Sequence, residues 1–110
     1  MTMAANGIAK LIEECGELQQ ILGKKLAYYT TDEHPDGAGS LTHRLEDEMG
    51  DVYAAMDLIR GTLDLDGAAI NQRRDEKLRI FQLWHAASDN NQHAIDYCIK
   101  ADSAALKEMP

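Results

Sequence analysis

Acidic residues with a spacing suited to metal chemistry occur in two short clusters of this chain. The first contains Glu13, Glu14 and Glu17, and the second contains Glu48 and Asp51. Residues three apart lie on one face of an α-helix, a turn apart, so each cluster presents a pair of carboxylates on one side of its helix. Two such helices side by side would gather these carboxylates into a small volume, where like charges repel unless a cation lies among them. Because oxygen ligands suit Mg²⁺, Mn²⁺ or Ca²⁺ rather than zinc, the sequence predicts a divalent-metal site.

Two features distinguish these acids from the solvated acidic residues that most helices carry. At 100° per residue, Glu48 lies roughly 55° and Glu14 roughly 90° from the centre of the apolar stripe of its helix, so both border the core. Small residues also lie among the acids, namely Gly16, Gly50, Ala54 and Ala55. A glycine inside a helix costs about 1 kcal/mol relative to alanine, which a close backbone approach or room for a ligand would justify. The alternative is that both glycines are simply tolerated.

Two predicted helices position the acidic clusters. The first spans residues 8–28, and the second begins at Leu41 and ends near Leu65. Between them, residues 30–40 are dense in turn formers and predict a loop, with Ser40 placed to cap the second helix. Each helix has an apolar stripe that predicts its packed face. The stripe of the first helix consists of Ile8, Leu11, Ile12, Cys15, Leu18, Leu22 and Leu26, and that of the second consists of Leu41, Leu45, Met49, Val52, Met56, Ile59 and Leu63.

Two further helices are predicted in the rest of the chain. Asp66-Gly67 makes a short turn into a third helix from Ala68 to about His85. Residues 88–91 form another break, and a fourth helix follows to about Lys107. No apolar–polar alternation is long enough to predict a strand. The chain of 110 residues is therefore predicted to be a single domain over residues 1–110, with an all-α, four-helix bundle-like fold.

Charge and composition restrict the partners of the chain. The net charge of −8 at pH 7 argues against a nucleic-acid polymer or an anionic membrane as a partner, although metal ions would permit a small anionic substrate. The sequence has no apolar run long enough to cross a membrane and no signal-peptide pattern, which predicts a cytoplasmic protein. Cys15 and Cys98 lack metal-site or redox-motif spacing and are predicted to be free thiols.

Basic residues on the third helix are the other candidates for ligand binding. Arg74 and Lys77 share a helix face with the aromatic residues Phe81 and Trp84. A cation there can contact phosphate oxygens or pair with a carboxylate of a neighbouring helix, and the sequence favours neither. Other site classes lack their signatures: no Glu-x-x-His pair suggests a di-iron centre, the four histidines are scattered, and no glycine-rich phosphate loop precedes a helix.

The order of the acidic motifs resembles that of a known enzyme family. Glu-Glu-x-x-Glu at residues 13–17, a loop, and Glu-x-x-Asp at residues 48–51 resemble the MazG-like nucleotide pyrophosphohydrolases. The segment Lys-Leu-Arg-Ile-Phe-Gln-Leu-Trp at residues 77–84 is similar to the basic–aromatic stretch of small family members. The resemblance covers roughly residues 8–85. Residues 86–110 lie outside it and are interpreted as a C-terminal helix for packing or subunit contact.

The resemblance implies a fold, an assembly and an activity. The fold is the all-α MazG fold, which assembles as a homodimer or as a dimer of dimers. The implied activity is Mg²⁺-dependent hydrolysis of a nucleoside triphosphate to the monophosphate and pyrophosphate, and Mn²⁺ is expected to substitute for Mg²⁺. The expected substrate is a deoxynucleoside triphosphate, and the expected role is nucleotide-pool house-cleaning. By the same resemblance, Glu13 helps to bind a further metal or to orient water, and Lys77 and Arg74 contact phosphate. The implied metal ligands are Glu14, Glu17, Glu48 and Asp51.

Two other interpretations fit the same residues. One is a non-catalytic module that keeps the fold and binds a nucleotide or a protein, and the other is a structural helical oligomer with solvated acids. The intact set of motif acids favours an enzyme over a degenerate binding module. A solvated acidic surface predicts that Mg²⁺ leaves thermal stability unchanged, whereas a native state that binds metal is stabilised by mass action.

Overall fold

The computed structural model describes residues 3–88 of the chain, with side chains from residue 5 onward. In chain order the helices are α1 (Met3–Ala27), α2 (Leu41–Thr62) and α3 (Gly67–Ser88). These residues contain no strand, and a single isolated bridge pairs Glu33 with Ser40. The all-α prediction is therefore confirmed for this part of the chain. The predicted fourth helix and Cys98 lie outside the described residues.

The chain divides into two compact units, residues 1–65 and residues 66–110. The first unit contains α1 and α2, and the second contains α3. No helix within residues 3–88 combines the length and the apolar character needed to cross a membrane. The organisation as a single MazG-like domain and the assembly into a dimer or a dimer of dimers remain predictions.

Helices α1 and α2 form an antiparallel hairpin, in which Gly7 of α1 packs closely against the end of α2. A Cβ atom added to Gly7 would lie 3.1 Å from Cγ2 of Ile59, whereas one added to Gly16 or Gly50 would meet nothing within 4 Å. Close contact with side chains of α2 therefore explains Gly7 and does not explain the two glycines among the acids. Capping of α2 follows the sequence prediction, because Oγ of Ser40 accepts a hydrogen bond of 3.2 Å from the nitrogen of His43.

The faces on which α1 and α2 pack differ from the predicted apolar stripes. The buried positions are Gly7, Glu14 and Ile21 in α1, and Leu41, Val52 and Ala55 in α2. Around the helix axis, the centre of the buried face is displaced from the centre of the predicted apolar stripe by roughly 100° in α1 and roughly 40° in α2. In both helices the displacement is toward the acids. The prediction that the stripes form the packed faces is thus wrong for much of their length. Small residues at Gly7 and Ala55 allow the helices to approach closely, which favours the observed faces.

Because of this displacement, the apolar stripe of α1 lies largely at the surface. Ile12 is 69% exposed and Leu26 is 81% exposed. Cys15 is a free, exposed thiol, as predicted. A groove of about 510 Å³ follows this side of the hairpin, and we call it the apolar groove. Its lining consists of Ile8, Leu11, Ile12, Cys15, Gly16, Gln19 and Ile59.

Asp32 joins the loop to both neighbouring helices. Its carboxylate accepts hydrogen bonds from Nζ of Lys25 and from Oγ of Ser40, both at 2.6 Å, and from the nitrogen of Thr42 at 3.0 Å. Asp32 has a φ of 57°, in the left-handed region that Asp tolerates better than most residues. The side-chain hydrogen bonds from Lys25, which is the largest cause, from Ser40 and from the hydroxyl of Thr42 hold the pKa of the Asp32 carboxyl well below its ordinary value.

Asp36 makes a second connection across the loop. It accepts two hydrogen bonds from the guanidinium of Arg44, at 3.1 and 3.2 Å, and one of 3.0 Å from Nζ of Lys24. The hydrogen bond from Lys24, followed by that from Arg44, holds the pKa of the Asp36 carboxyl well below its ordinary value. The two aspartates therefore tie the end of α1 to the start of α2 and help to set the register of the hairpin.

We expect an Asp32→Asn variant to be less stable than the wild type at pH 7, and this difference to shrink in acid. Because folding lowers the pKa of Asp32, its charged form stabilises the fold above the ordinary Asp pKa, and this contribution declines progressively as the pH falls from about 5 toward about 2. Urea midpoints measured across this range test the expectation. Asp57→Asn, at an exposed acid of α2, is the matched control. A difference from the wild type that does not depend on pH would contradict it.

Helix α3 begins at a cap that its own sequence supplies. Oδ1 of Asp66 accepts hydrogen bonds from the nitrogens of Ala68 and Ala69, at 3.0 and 3.2 Å. Phe81 is 57% exposed and Trp84 is 52% exposed, so the face that they share with Arg74 and Lys77 is not the buried face. The buried residues of α3 are Ile80, Leu83 and Ala86. Apolar residues occur on more than one side of this helix, which is why periodicity alone does not identify the buried side.

Candidate metal centre

Four carboxylates meet where α1 and α2 lie side by side. Each contributes one oxygen, and these four oxygens all lie within 4.8 Å of one another. We call this group the acidic cluster; its members are Glu14 and Glu17 of α1 and Glu48 and Asp51 of α2. The antiparallel hairpin brings the two pairs together because each pair occupies one face of its helix. The structure thus unites the four acids that the sequence singles out as metal ligands.

Two oxygens of the acidic cluster are buried and have no hydrogen-bond partner within the part of the chain that the structure describes. They are Oε2 of Glu14, a residue only 8% exposed, and Oε2 of Glu48. A buried polar atom left unpaired costs about 1–3 kcal/mol, and more when it is charged. A divalent cation held among these oxygens would satisfy both of them. The burial of Glu14 therefore distinguishes the acidic cluster from an ordinary solvated helix face.

The carboxylates also influence one another electrostatically. The pKa of the Glu17 carboxyl is raised above its ordinary value, chiefly by the negative charge of Glu14, then by burial and then by Glu48. Like charges thus destabilise one another in the arrangement that the fold imposes, and a cation would relieve the repulsion. Since every ligand atom is a carboxylate oxygen, the residues fit Mg²⁺, Mn²⁺ or Ca²⁺ better than zinc.

Glu13, the first acid of the motif, does not belong to the acidic cluster. Its side chain is 56% exposed and pairs with Nζ of Lys10 at 3.4 Å. Glu13 and Glu14 are consecutive residues, so their side chains lie about 100° apart around the helix. Its predicted role with a further metal or with water remains a prediction.

The two basic residues suggested as phosphate contacts lie on α3, in the second unit. Arg74 is exposed, and its guanidinium donates hydrogen bonds of 3.1 and 2.9 Å to Oδ1 of the adjacent Asp75. Lys77 is partly buried. A contact between phosphate and either residue remains a prediction.

Lys10 is a further charged residue of the site, and the sequence reasoning overlooked it. Its Nζ lies 3.5 Å from Oε1 of Glu14 and 3.4 Å from Oε2 of Glu13. The hydrogen bond with Glu13 and the charge of that residue, followed by the same effects of Glu14, raise the pKa of Lys10. A signal was present in the sequence, because Lys10 precedes these acids by three and four residues, the spacing at which helical side chains meet.

A cavity of about 340 Å³ opens beside the acidic cluster, and we call it the acid-side cavity. Its wall combines charge at one end with small and apolar side chains at the other. Ala54 and Ala55, the alanines that lie among the acids in the sequence, line this cavity, so their small side chains leave space beside the acidic cluster. The lining residues are Lys10, Glu14, Asp51, Ala54, Ala55 and Leu58.

Two helices hold four carboxylates together, leave two of the oxygens without a partner, and provide a cavity and a cation next to them. Comparison of the chain with protein-family models, with curated proteins and with solved structures finds no significant match.

Proposed function

We propose that this chain is a Mg²⁺-dependent nucleoside triphosphate pyrophosphohydrolase. The observation that carries the proposal is the acidic cluster, with four carboxylate oxygens within 4.8 Å of one another and two buried oxygens that lack a partner. The MazG-like order of the two motifs that supply these acids supports the same reaction. A deoxynucleoside triphosphate is the proposed substrate, and removal of unwanted nucleotides from the pool is the proposed role.

In the proposed reaction, water attacks the α-phosphorus and the bond from that phosphorus to the bridging oxygen breaks, which releases pyrophosphate and leaves the monophosphate. When bound, the divalent ion neutralises phosphate oxygens and lowers the pKa of water. Glu14 and Glu48 hold this ion from opposite helices. Asp51 is exposed and borders the acid-side cavity, so it lies on the side where the substrate arrives.

We further propose that the working form is a homodimer or a homotetramer. The exposed apolar residues of α1 support this assembly, because Ile12 in the apolar groove and Leu26 outside it are both exposed in the single chain. Apolar surface of this kind gains stability when a second copy covers it. A second copy would also enclose a nucleotide more completely than a two-helix hairpin does.

Pyrophosphate release from the eight common ribo- and deoxynucleoside triphosphates tests the proposal directly. Each assay contains Mg²⁺, Mn²⁺ or a chelator, and pyrophosphate and orthophosphate are measured separately. We expect metal-dependent release of pyrophosphate, with one base preferred. Release of orthophosphate would instead place the cleaved bond elsewhere. The non-catalytic binding module gains support if no nucleotide is turned over while metal and nucleotide together raise the melting temperature.

A further inference from the structure

We propose that Lys10 binds phosphate oxygens of the ligand that occupies the acid-side cavity. This inference rests on the proposed function and adds to it a residue outside the acidic motifs. Lys10 borders the cavity together with Glu14 and Asp51, so its ammonium group and two cluster acids face the same space. The class of ligand is a metal-bound pyrophosphate or polyphosphate group.

The present partners of Lys10 hold it weakly. Its Nζ is 3.4 Å from Glu13 and 3.5 Å from Glu14, and its side chain is 51% exposed. Exposed ion pairs within one helix contribute little to stability, because solvent screens them and the long side chain loses freedom in forming them. The lysine can therefore turn toward an anionic ligand at small cost.

The other cations of the hairpin are engaged away from the cavity. Among the described lysines and arginines of residues 5–65, the partners of the other four are aspartates outside the acidic cluster. Lys24 and Arg44 pair with Asp36, Lys25 pairs with Asp32, and Arg60 pairs with Asp57. Within this part of the chain, Lys10 is thus the one lysine or arginine placed to meet a ligand at the acidic cluster.

The charges also require such a residue. Metal ions that neutralise the acidic cluster still leave a polyphosphate with negative charge along its length. An ammonium group beside the acids offsets part of this charge and fixes the end of the phosphate chain, since Lys acts as a point charge toward phosphate. The unpartnered oxygens of Glu14 and Glu48 are left for the metal, which Lys10 does not replace.

A Lys10→Met variant tests the inference by calorimetry. We expect its affinity for inorganic pyrophosphate, measured with Mn²⁺ in excess, to fall about tenfold relative to the wild type. Its affinity for Mn²⁺ alone should equal or exceed that of the wild type, because a cation that competes for Glu14 has been removed. Lys10→Arg keeps the charge and should retain pyrophosphate affinity within about threefold.

Arg60→Met is the matched control, since it also removes one positive charge from an exposed ion pair within a helix. Arg60 lies on α2 roughly 200° around the helix from Leu58 of the cavity wall, so its loss should leave pyrophosphate affinity unchanged. Circular dichroism confirms that each variant is folded. Pyrophosphate affinity unchanged in Lys10→Met overturns the inference, as does a parallel loss of Mn²⁺ affinity, which would mean that Lys10 acts through the acids.

The turnover assay and the pyrophosphate affinities together distinguish failure of this inference from failure of the proposed function. Turnover by the wild type together with equal pyrophosphate affinities in wild type and Lys10→Met overturns the role of Lys10 and leaves the hydrolase standing. Absence of turnover, with the tenfold difference in pyrophosphate affinity still present, overturns the hydrolase and leaves Lys10 as an anion-binding residue.

Discussion

A Glu48→Gln variant will release pyrophosphate from nucleoside triphosphates at least about a thousandfold more slowly than the wild type, a loss of about 4 kcal/mol of transition-state stabilisation. Glutamine keeps the size of Glu48 but removes the charge that we propose holds the metal. Within residues 3–88, Oε2 of Glu48 is buried and has no hydrogen-bond partner, so this oxygen is available to a cation.

The same variant should be more stable than the wild type when metal is absent, by about 1 kcal/mol, because one of the repelling charges has gone. The stabilisation that Mg²⁺ or Mn²⁺ gives to the wild type should be largely lost in the variant. Thermal melts with and without metal measure both effects. A higher melting temperature without metal, together with a smaller increase when metal is added, would identify Glu48 as a metal ligand rather than as a structural residue.

Glu46→Gln is the control for Glu48→Gln. Glu46 is an exposed acid on the same helix and lies outside the acidic cluster, so its loss changes the net charge equally and leaves the proposed site intact. We expect turnover and metal stabilisation close to those of the wild type. Normal turnover by Glu48→Gln would rule out the assignment of this residue. Equal effects of both substitutions would point to net charge instead of the site.

The second large effect concerns assembly. We expect an Ile12→Glu variant to convert a homo-oligomer of the wild type into a monomer, with the dissociation constant raised at least about a hundredfold. Ile12 is 69% exposed in the single chain, at the apolar groove, so a carboxylate is harmless to the monomer and costly once a second copy covers it. Analytical ultracentrifugation over a range of protein concentrations measures the change.

Gln20→Glu provides the comparison on the same helix. Gln20 is exposed and does not line the apolar groove, and it lies roughly 80° around the helix from Ile12. Its replacement should leave the sedimentation of the wild type unchanged. A wild type that is monomeric at all concentrations would exclude this assembly. An Ile12→Glu variant that associates as the wild type does would place the contact on another face.

Much of the local structure can be predicted from the sequence because its causes are local. Apolar periodicity identifies helices, the hydroxyl of Ser40 predicts the start of α2, and Asp66-Gly67 predicts the turn before α3. Each motif acid also has a helical neighbour on the same face by spacing alone. The boundaries are less accurate: α1 begins at Met3 rather than at residue 8, and α2 ends at Thr62 rather than near Leu65.

In the candidate site, too, some residues can be predicted from the sequence and others cannot. Types and spacing single out five acids, the resemblance implies four of them as metal ligands, and the structure brings these four together. Lys10 has the right spacing to Glu14, but many lysines precede an acid by a helical turn and pair with it only at the surface. Lys10 becomes a candidate ligand-binding residue because it lines the cavity beside Glu14 and Asp51. That cavity forms only when α2 packs against α1.

The sequence by itself determined the three described helical segments, the Ser40 cap of α2 and the pairing of acids on each helix, because these depend on neighbours within a few residues. Only the tertiary structure decided which face of each helix packs. Periodicity states which residues share a face, whereas packing selects the face that lets two helices approach. In this hairpin the small residues Gly7 and Ala55 favour a face that includes Glu14, so Glu14 turns inward and the apolar stripe of α1 is left exposed.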